Sequence, residues 1–367
     1  MANSAGVSDQ ERPRGRRDLR ALPKTHLHLH FSGSMRLSTL HELADNYRLR
    51  LPAALLDGQA LRVPANERGW FRFQRLYDTA RSCVRTPQDM ARLIDEAAAD
   101  DAAEGSVRLE IQVDPTSYAP LAGGLTPALE VVLDAAEKAA TAHNIEVGVI
   151  VATSRLKHPL DARTLARLAA MYAGDGNGEV MGFGLSNDER RGTTPEFQAA
   201  FRIAQKADLA SVPHGGELLG PSHVHEVVGH LNPQRLGHGI RSTEDRALLD
   251  DLVRRNIALE VCPSSNVSLG VYPSLEDVPL RTVFDSGANI ALGADDPLLF
   301  DDRLLDQYKI ARDVHGFSDT ELAELARGSI RASRASNSSK RQWLQDVDTW
   351  LATPPTSIMS ENQPAST

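Results

Sequence analysis

The sequence predicts an α/β fold, a (β/α)8 TIM-type barrel with a helical insertion after its first strand and extra helices at its C-terminal end. Three observations predict it. Eight apolar runs of strand length alternate with helical patterns, which implies a parallel sheet. Residues able to bind a metal or move a proton sit just past the ends of five of those runs, as at the C-terminal mouth of such a barrel. Residues 31–106, between the first two runs, form a connection far longer than an ordinary strand-to-helix loop.

In order, the strand candidates are residues 24–30, 107–113, 146–152, 179–184, 209–213, 234–237, 257–261 and 290–294. Helical patterns with apolar positions three or four apart run over 125–143, 160–172, 196–207, 245–256 and 278–286. Inside the long connection, helices over 37–47, 70–83 and 87–103 build a cap at about 35–105. Its aromatics Trp70, Phe71 and Phe73 either wall the mouth against a flat substrate or pack the inserted helices on the barrel. Helices over 302–314, 318–333 and 336–351 complete a single domain at 21–352. Residues 1–20 read as a disordered arm with basic character, and 353–367 as a flexible Pro/Ser-rich tail.

The bulk chemistry narrows the function classes. A net charge of -9 argues against a nucleic-acid phosphate surface, although a free nucleoside needs no basic groove. No stretch approaches a membrane span, and the start has no apolar leader core. Cys83 and Cys262 are far apart in sequence, which offers neither a disulfide framework nor a Cys-rich metal site and fits a reducing cytoplasm. The oligomeric state is left open.

Chemistry collects at strand ends. Side chains two apart on a strand share a face, so His26, His28 and His30 are expected to point one way, and any adjacent pair can hold a metal. Gly33 follows and lets the backbone turn beside a ligand. His214 ends the fifth strand as a third nitrogen donor, and Glu217 lies near enough to donate and accept a proton if burial raises its pKa. A hydrogen-bonded His and a carboxylate in a helix first turn are the plainer readings of those two residues. His238 sits between glycines at the sixth strand end. Asp295 and Asp296 repel each other unless a cation or donor partners them, although Pro297 also makes the pair a turn signal. Jointly, His28, His30, His214 and Asp295 offer three nitrogens and one oxygen, a set that suits one Zn2+ per chain better than magnesium or calcium.

With these residues in place the chain resembles the adenosine deaminase family from about Leu22 to the last helices. The resemblance rests on Pro23-Lys24-x-x-Leu27-His28-x-His30-x-x-Gly33, His214-Gly215-Gly216-Glu217, Gly237-His238-Gly239, Cys262-Pro263-Ser264-Ser265-Asn266 and Asp295-Asp296-Pro297-Leu298, all in order. It implies that His28, His30, His214 and Asp295 bind zinc and that His26 does not. It implies attack by an activated water on C6 of a 6-aminopurine, with Glu217 protonating N1 and His238 and Asp295 orienting and deprotonating the water. It places Asp296 at N7, matches Asp188-Glu189 to an acidic pair of the family, and makes a small-molecule nucleoside the partner.

Three positions depart from the family. Its Asp before Gly33, which meets the ribose 5′-hydroxyl, is Ser32; its Gly, whose amide meets purine N3, is Asn187; and its second-strand Arg is Gln112. These changes gather at the 5′ end of the substrate. They point to an adenosine with a bulky or anionic 5′ group, such as the aminodeoxyfutalosine of menaquinone synthesis, with Arg36 and Arg72 as partners for its carboxylate. Adenosine or deoxyadenosine in purine salvage is the rival substrate. A binuclear amidohydrolase or phosphoesterase lacks a bridging Lys at Met181-Gly182-Phe183-Gly184, and a catalytically silent nucleoside-binding protein has no reason to keep Glu217 and His238.

Overall fold

A computed structural model describes residues 16–355. Eight parallel strands pair in sequence order: β1 Lys24–His30, β2 Ser106–Val113, β3 Glu146–Ser154, β4 Val180–Ser186, β5 Ala210–Gly215, β6 Arg235–His238, β7 Ala258–Val261 and β8 Ile290–Leu292. The ring is joined through a bridge between Leu29 and Asp295, where the Asp295 N–H donates to the His28 carbonyl at 3.0 Å and the His30 N–H to the Asp295 carbonyl at 2.9 Å. The barrel predicted from alternation is therefore present, with helices around it. Of the expected arm, residues 1–15 lie outside the described part, as do 356–367 of the expected tail. Arg17 pairs with Asp319 at 2.9 Å and donates to the carbonyls of Leu351 and Thr353, which fastens the start of the described chain to its last helices.

The period-two pattern divides each strand between two environments. On β2, Leu109, Ile111 and Val113 are buried against the outer helices, whereas Arg108, Glu110 and Gln112 face the barrel interior. The interior below the mouth is consequently ionic. Glu110 pairs with Arg108 at 2.8 Å and with Arg235 at 2.6 Å, and Arg235 reaches Glu260 at 2.6 Å. Burial of these four side chains is compatible with their charge because each carboxylate and guanidinium is answered.

The insertion is helical, as its periodicity predicts: α1 Leu37–Asn46, α2 Glu67–Arg81 and α3 Pro87–Ala103. Asn66 caps α2 by accepting from the Gly69 N–H, and Thr86 with Asp89 forms a capping box on α3. One expected helix is shorter than its pattern: 278–286 becomes Leu280–Asp285, because the residue before Pro279 is sterically driven out of helical geometry. The helix expected over 302–314 begins at Leu304, after Asp301 adopts a left-handed φ of 61°. Helix Pro221–Leu231 and the short Pro263–Ser268 helix were not anticipated; both begin at a proline whose fixed φ suits a first helical position.

Candidate active site

The seven chemically competent residues named from the strand ends converge at one mouth of the barrel. His28 and His30 come from β1, His214 from β5, His238 from β6, and Asp295 and Asp296 follow β8, with Glu217 just past β5. The pairing of His214 with Gly237 and of Gly215 with His238 sets the two ring-bearing strand ends side by side. Ring centroids are 5.2 Å apart for His28 and His30, 4.8 Å for His28 and His214, and 5.2 Å for His30 and His214. Asp295 Oδ1 lies 3.5 Å from His28 Nε2 and 3.2 Å from His30 Nε2. A Cβ on Gly237 would stand 2.4 Å from the His214 ring, and one on Gly33 would stand 1.8 Å from Asp296 Oδ1, so both glycines are required by close approach.

His26 does not join this group. The β1 register shifts between His26 and Leu29, and His26 Nδ1 instead donates to Asp101 of α3 at 3.0 Å. Its Nε2 accepts the Ala294 N–H at 3.0 Å, next to Asp295. The expectation that all three β1 histidines share a face fails because it assumed a strand without irregularity.

Several side chains hold the cluster in place. Glu260 Oε2 accepts from His28 Nδ1 at 2.7 Å, which fixes the tautomer and leaves Nε2 with its lone pair toward the cluster. Ser265 donates to Asp295 Oδ2 at 2.6 Å. His238 (φ 65°), Asp295 (φ 62°) and Asn187 (φ 81°) all adopt the left-handed backbone that bulky residues avoid. Asn187 tolerates it best, with Asn Oδ1 accepting the Asp188 N–H at 2.8 Å.

The electrostatics call for a cation. His28 Nε2, both ring nitrogens of His214 and of His238, Glu217 Oε2 and Asp296 Oδ1 are buried without a hydrogen-bond partner. Ligand atoms of His28, His30 and His214 fall within 4.8 Å of one another, as do those of His28, His238 and Asp295. Burial opposes charge on His28, yet the carboxylates of Asp295 and Glu260 beside it raise its pKa to about 9, so a metal binding at Nε2 would displace a proton. Burial likewise opposes charge on Asp295, but the rings of His28 and His30 beside it hold it well below the usual carboxylate range. Nitrogen donors with one anionic oxygen and buried, unanswered lone pairs fit a zinc ion.

The acid–base groups are polarised in opposite senses. Burial, reinforced by the charges of Asp295, Glu189, Asp296 and Asp188, pushes Glu217 well above the ordinary carboxyl value. Burial and Asp295 do the same to Asp296. Burial lowers His238 to about 3, so its ring is neutral, 3.8 Å from Glu217 Oε1 and 4.0 Å from Asp295 Oδ2. A protonated carboxyl and a neutral imidazole side by side in one cluster can donate and accept protons at neutral pH.

A cavity of ≈ 290 Å3 leads outward from His30, His214, Glu217, Asp295 and Asp296, close to the lower end of ligand-pocket sizes, about 300 Å3. Ser32, Asn187 and Gln112 line it, together with Trp70, Phe73, Tyr77 and Tyr118 and two ion pairs, Arg81 with Asp78 at 2.8 Å and Lys157 with Asp114 at 2.7 Å. Ser32 Oγ lies 2.5 Å from the Tyr118 hydroxyl. Phe71 is 68% exposed, since one helical step turns it away from Trp70. Neither Arg36 nor Arg72 reaches the cavity: Arg36 is occupied by Asp100 at 2.7 Å, and Arg72 lies on the exposed side of α2. Sequence reasoning missed Glu260, Ser265, Tyr77 and Tyr118. A carboxylate inside the apolar run 257–261 was the available signal for Glu260; the tyrosines had none.

Among known families, the adenosine deaminase model matches residues 23–350. A Streptomyces virginiae protein named "Putative adenosine/adenine deaminase" is 58% identical over 336 residues, covering 91% of this chain and 98% of its own. An adenine deaminase of Sinorhizobium medicae is 31% identical, covering 85% of this chain and 94% of its own. The crystal structure of adenine deaminase from Arthrobacter aurescens superposes with a TM-score of 0.82 at 28% identity, covering 90% of this chain and 99% of that one.

Proposed function

The chain belongs to the adenosine deaminase family, whose members support hydrolytic deamination of an aminopurine, and on that premise we propose that it deaminates a 6-aminopurine nucleoside enlarged at its 5′ end. His28, His30, His214 and Asp295 would hold a zinc ion, which when bound would supply the Lewis acidity that makes a water nucleophilic at neutral pH. The protein's own groups do the rest. His238, neutral because it is buried, takes the proton of the attacking water, and Glu217, protonated because it is buried among carboxylates, gives one to purine N1. Asp296 carries the proton that N7 accepts, and the Asn187 backbone N–H meets N3. Water adds at C6, the proton taken by His238 passes to the amino group, which departs as ammonia, and the C6 hydroxyl gives its proton to the Glu217 carboxylate as the carbonyl forms.

The observation that carries the 5′ reading is the wall around Ser32. Position 32 itself offers a hydroxyl and not a carboxylate to a 5′-hydroxyl, while Asp78 and Asp114 line the same cavity. The serine is engaged by Tyr118, and beyond it the cavity continues along Trp70, Phe73 and Tyr77 toward Arg81 and Lys157. An aromatic carboxylate on the 5′ carbon, as in aminodeoxyfutalosine, matches the aromatic face. Arg81 and Lys157 replace Arg36 and Arg72 as the nearby cations, and a substrate carboxylate would compete there with Asp78, 2.8 Å from Arg81, and Asp114, 2.7 Å from Lys157. The names of the relatives favour a second reading, adenosine or adenine. Parallel kcat/KM measurements on aminodeoxyfutalosine, adenosine and adenine decide between them; a preference for adenosine or adenine overturns the first. A cytoplasmic location is part of the same proposal, supported by the buried free thiols of Cys83 and Cys262.

A further inference from the structure

We propose that Glu189 is a positioning residue for Glu217, clamping the turn that carries the proton donor; the proposal rests on the reading of Glu217 given above. Glu189 lies in the turn after β4, and its side chain is 0% exposed. One carboxylate oxygen accepts the backbone N–H of Glu217 at 3.1 Å, and the other accepts those of Leu218 and Leu219, each at 2.8 Å. Three successive amides thus converge on one buried anion, the arrangement of a backbone nest.

The need for such a clamp follows from the chain path. β5 ends at Gly215 and the next helix begins at Pro221, so the amides of 217–219 have no strand or helix ladder to satisfy them. Arg241 holds the same turn from its other side by donating to the Leu218 carbonyl. Arg155 ties the end of β5, donating to the His214 carbonyl at 2.7 Å. The turn that presents Glu217 is therefore fixed by side chains from the segments that follow β3, β4 and β6. A proton donor works only within hydrogen-bond reach of its acceptor, and a displacement of about 1 Å costs on the order of 10²-fold in rate. The negative charge of Glu189 also acts on Glu217 in the direction that keeps it protonated. A glutamine cannot substitute, because its NH2 would face amides that need an acceptor.

The test combines amide hydrogen exchange with kinetics on zinc-loaded protein, using whichever of adenosine, adenine and aminodeoxyfutalosine is turned over fastest. In the wild type the amides of Glu217, Leu218 and Leu219 should exchange slowly. In Glu189→Gln they should exchange about tenfold faster or more, while the barrel strands stay protected. Zinc content and KM should stay near wild type while kcat falls on the order of 10²-fold. Glu217→Gln should keep the slow exchange, and adding Glu189→Gln to it should cause no further loss of rate, since both act through one group. Fast exchange at 217–219 in the wild type overturns the clamp without any variant. Unchanged kcat in Glu189→Gln, or full additivity with Glu217→Gln, overturns the positioning role. Retained activity in Glu217→Gln instead overturns the donor assignment, a distinct result.

Discussion

Asp295 and His30 are joined twice: the His30 N–H donates to the Asp295 carbonyl at 2.9 Å, and the Asp295 carboxylate lies 3.2 Å from His30 Nε2. The backbone contact completes the barrel and the side-chain contact completes the His/Asp cluster proposed to hold the metal. Metal binding should therefore stabilise the closure itself. Zinc at a hundred times its Kd adds about 2.7 kcal/mol to the folded state, and chelation should remove it. In Asp295→Ala the backbone bonds persist, so the apo melting temperature should stay near wild type while the zinc-dependent rise in Tm is lost. A full zinc-dependent rise in that variant would remove Asp295 from the ligand set.

Glu217→Gln removes an acid without removing a donor for the cluster. Deamination should fall by about 10²–10⁴-fold, the usual worth of a positioned acid or base, with zinc still bound at wild-type stoichiometry. Metal analysis beside single-turnover rates checks both halves.

The pH profile should be one-sided. Burial holds Glu217 well above its ordinary value, so the protonated, active form is present below the shifted pKa and is lost as pH rises through it. His238, lowered to about 3 by burial, stays neutral across the working range. The logarithm of kcat/KM should be level through mildly acidic pH and decline on the alkaline side. An acidic limb near the ordinary histidine value, about 6.5, would contradict the neutral His238 assignment.

Ser32→Asp returns an anionic acceptor to the wall that faces the 5′ end. A charge-assisted hydrogen bond is worth about 1.5–3 kcal/mol, so selectivity should move toward adenosine by roughly 10- to 150-fold. The ratio of kcat/KM values for adenosine and aminodeoxyfutalosine reads the shift directly. An unmoved ratio means that Trp70 or Tyr77, rather than Ser32, sets the preference.

Glu110→Gln tests the ionic interior. Burial alone would raise the Glu110 pKa, but Arg235 and Arg108 outweigh it and lower it from 4.5 to about 2. A depressed carboxylate contributes stability that is present above pH 4.5 and is lost as pH falls toward 2. Removing it leaves Arg108 with Glu146 and Arg235 with Glu260, each at 2.6 Å, so the loss of hydrogen bonds to a charged group should cost about 1.5–3 kcal/mol in urea unfolding at pH 7. The gap to wild type should narrow as pH approaches 2.

Much of this was legible in the residues. Alternating strand and helix periods gave the barrel, and the placement of His28, His214, His238 and Asp295 at strand ends gave its working mouth, because period and position are local properties of a chain. What escaped was non-local. The shift in β1 that turns His26 to Asp101 depends on α3, an element of the insertion. The pairing of Ser32 with Tyr118 depends on a loop after β2, and the occupation of Arg36 by Asp100 on helix packing. Sequence spacing carries no information on which distant residue reaches a side chain first.

Ser32 follows β1, Tyr118 follows β2 and Tyr77 comes from α2, whereas the groups proposed to bind the metal and move protons belong to the strand ends of the barrel. Selection can therefore act on the two sets at different rates. A descendant could exchange the aromatic face for another and acquire a new nucleoside while its hydrolytic centre drifted hardly at all. Divergence within this lineage should accumulate in the insertion first.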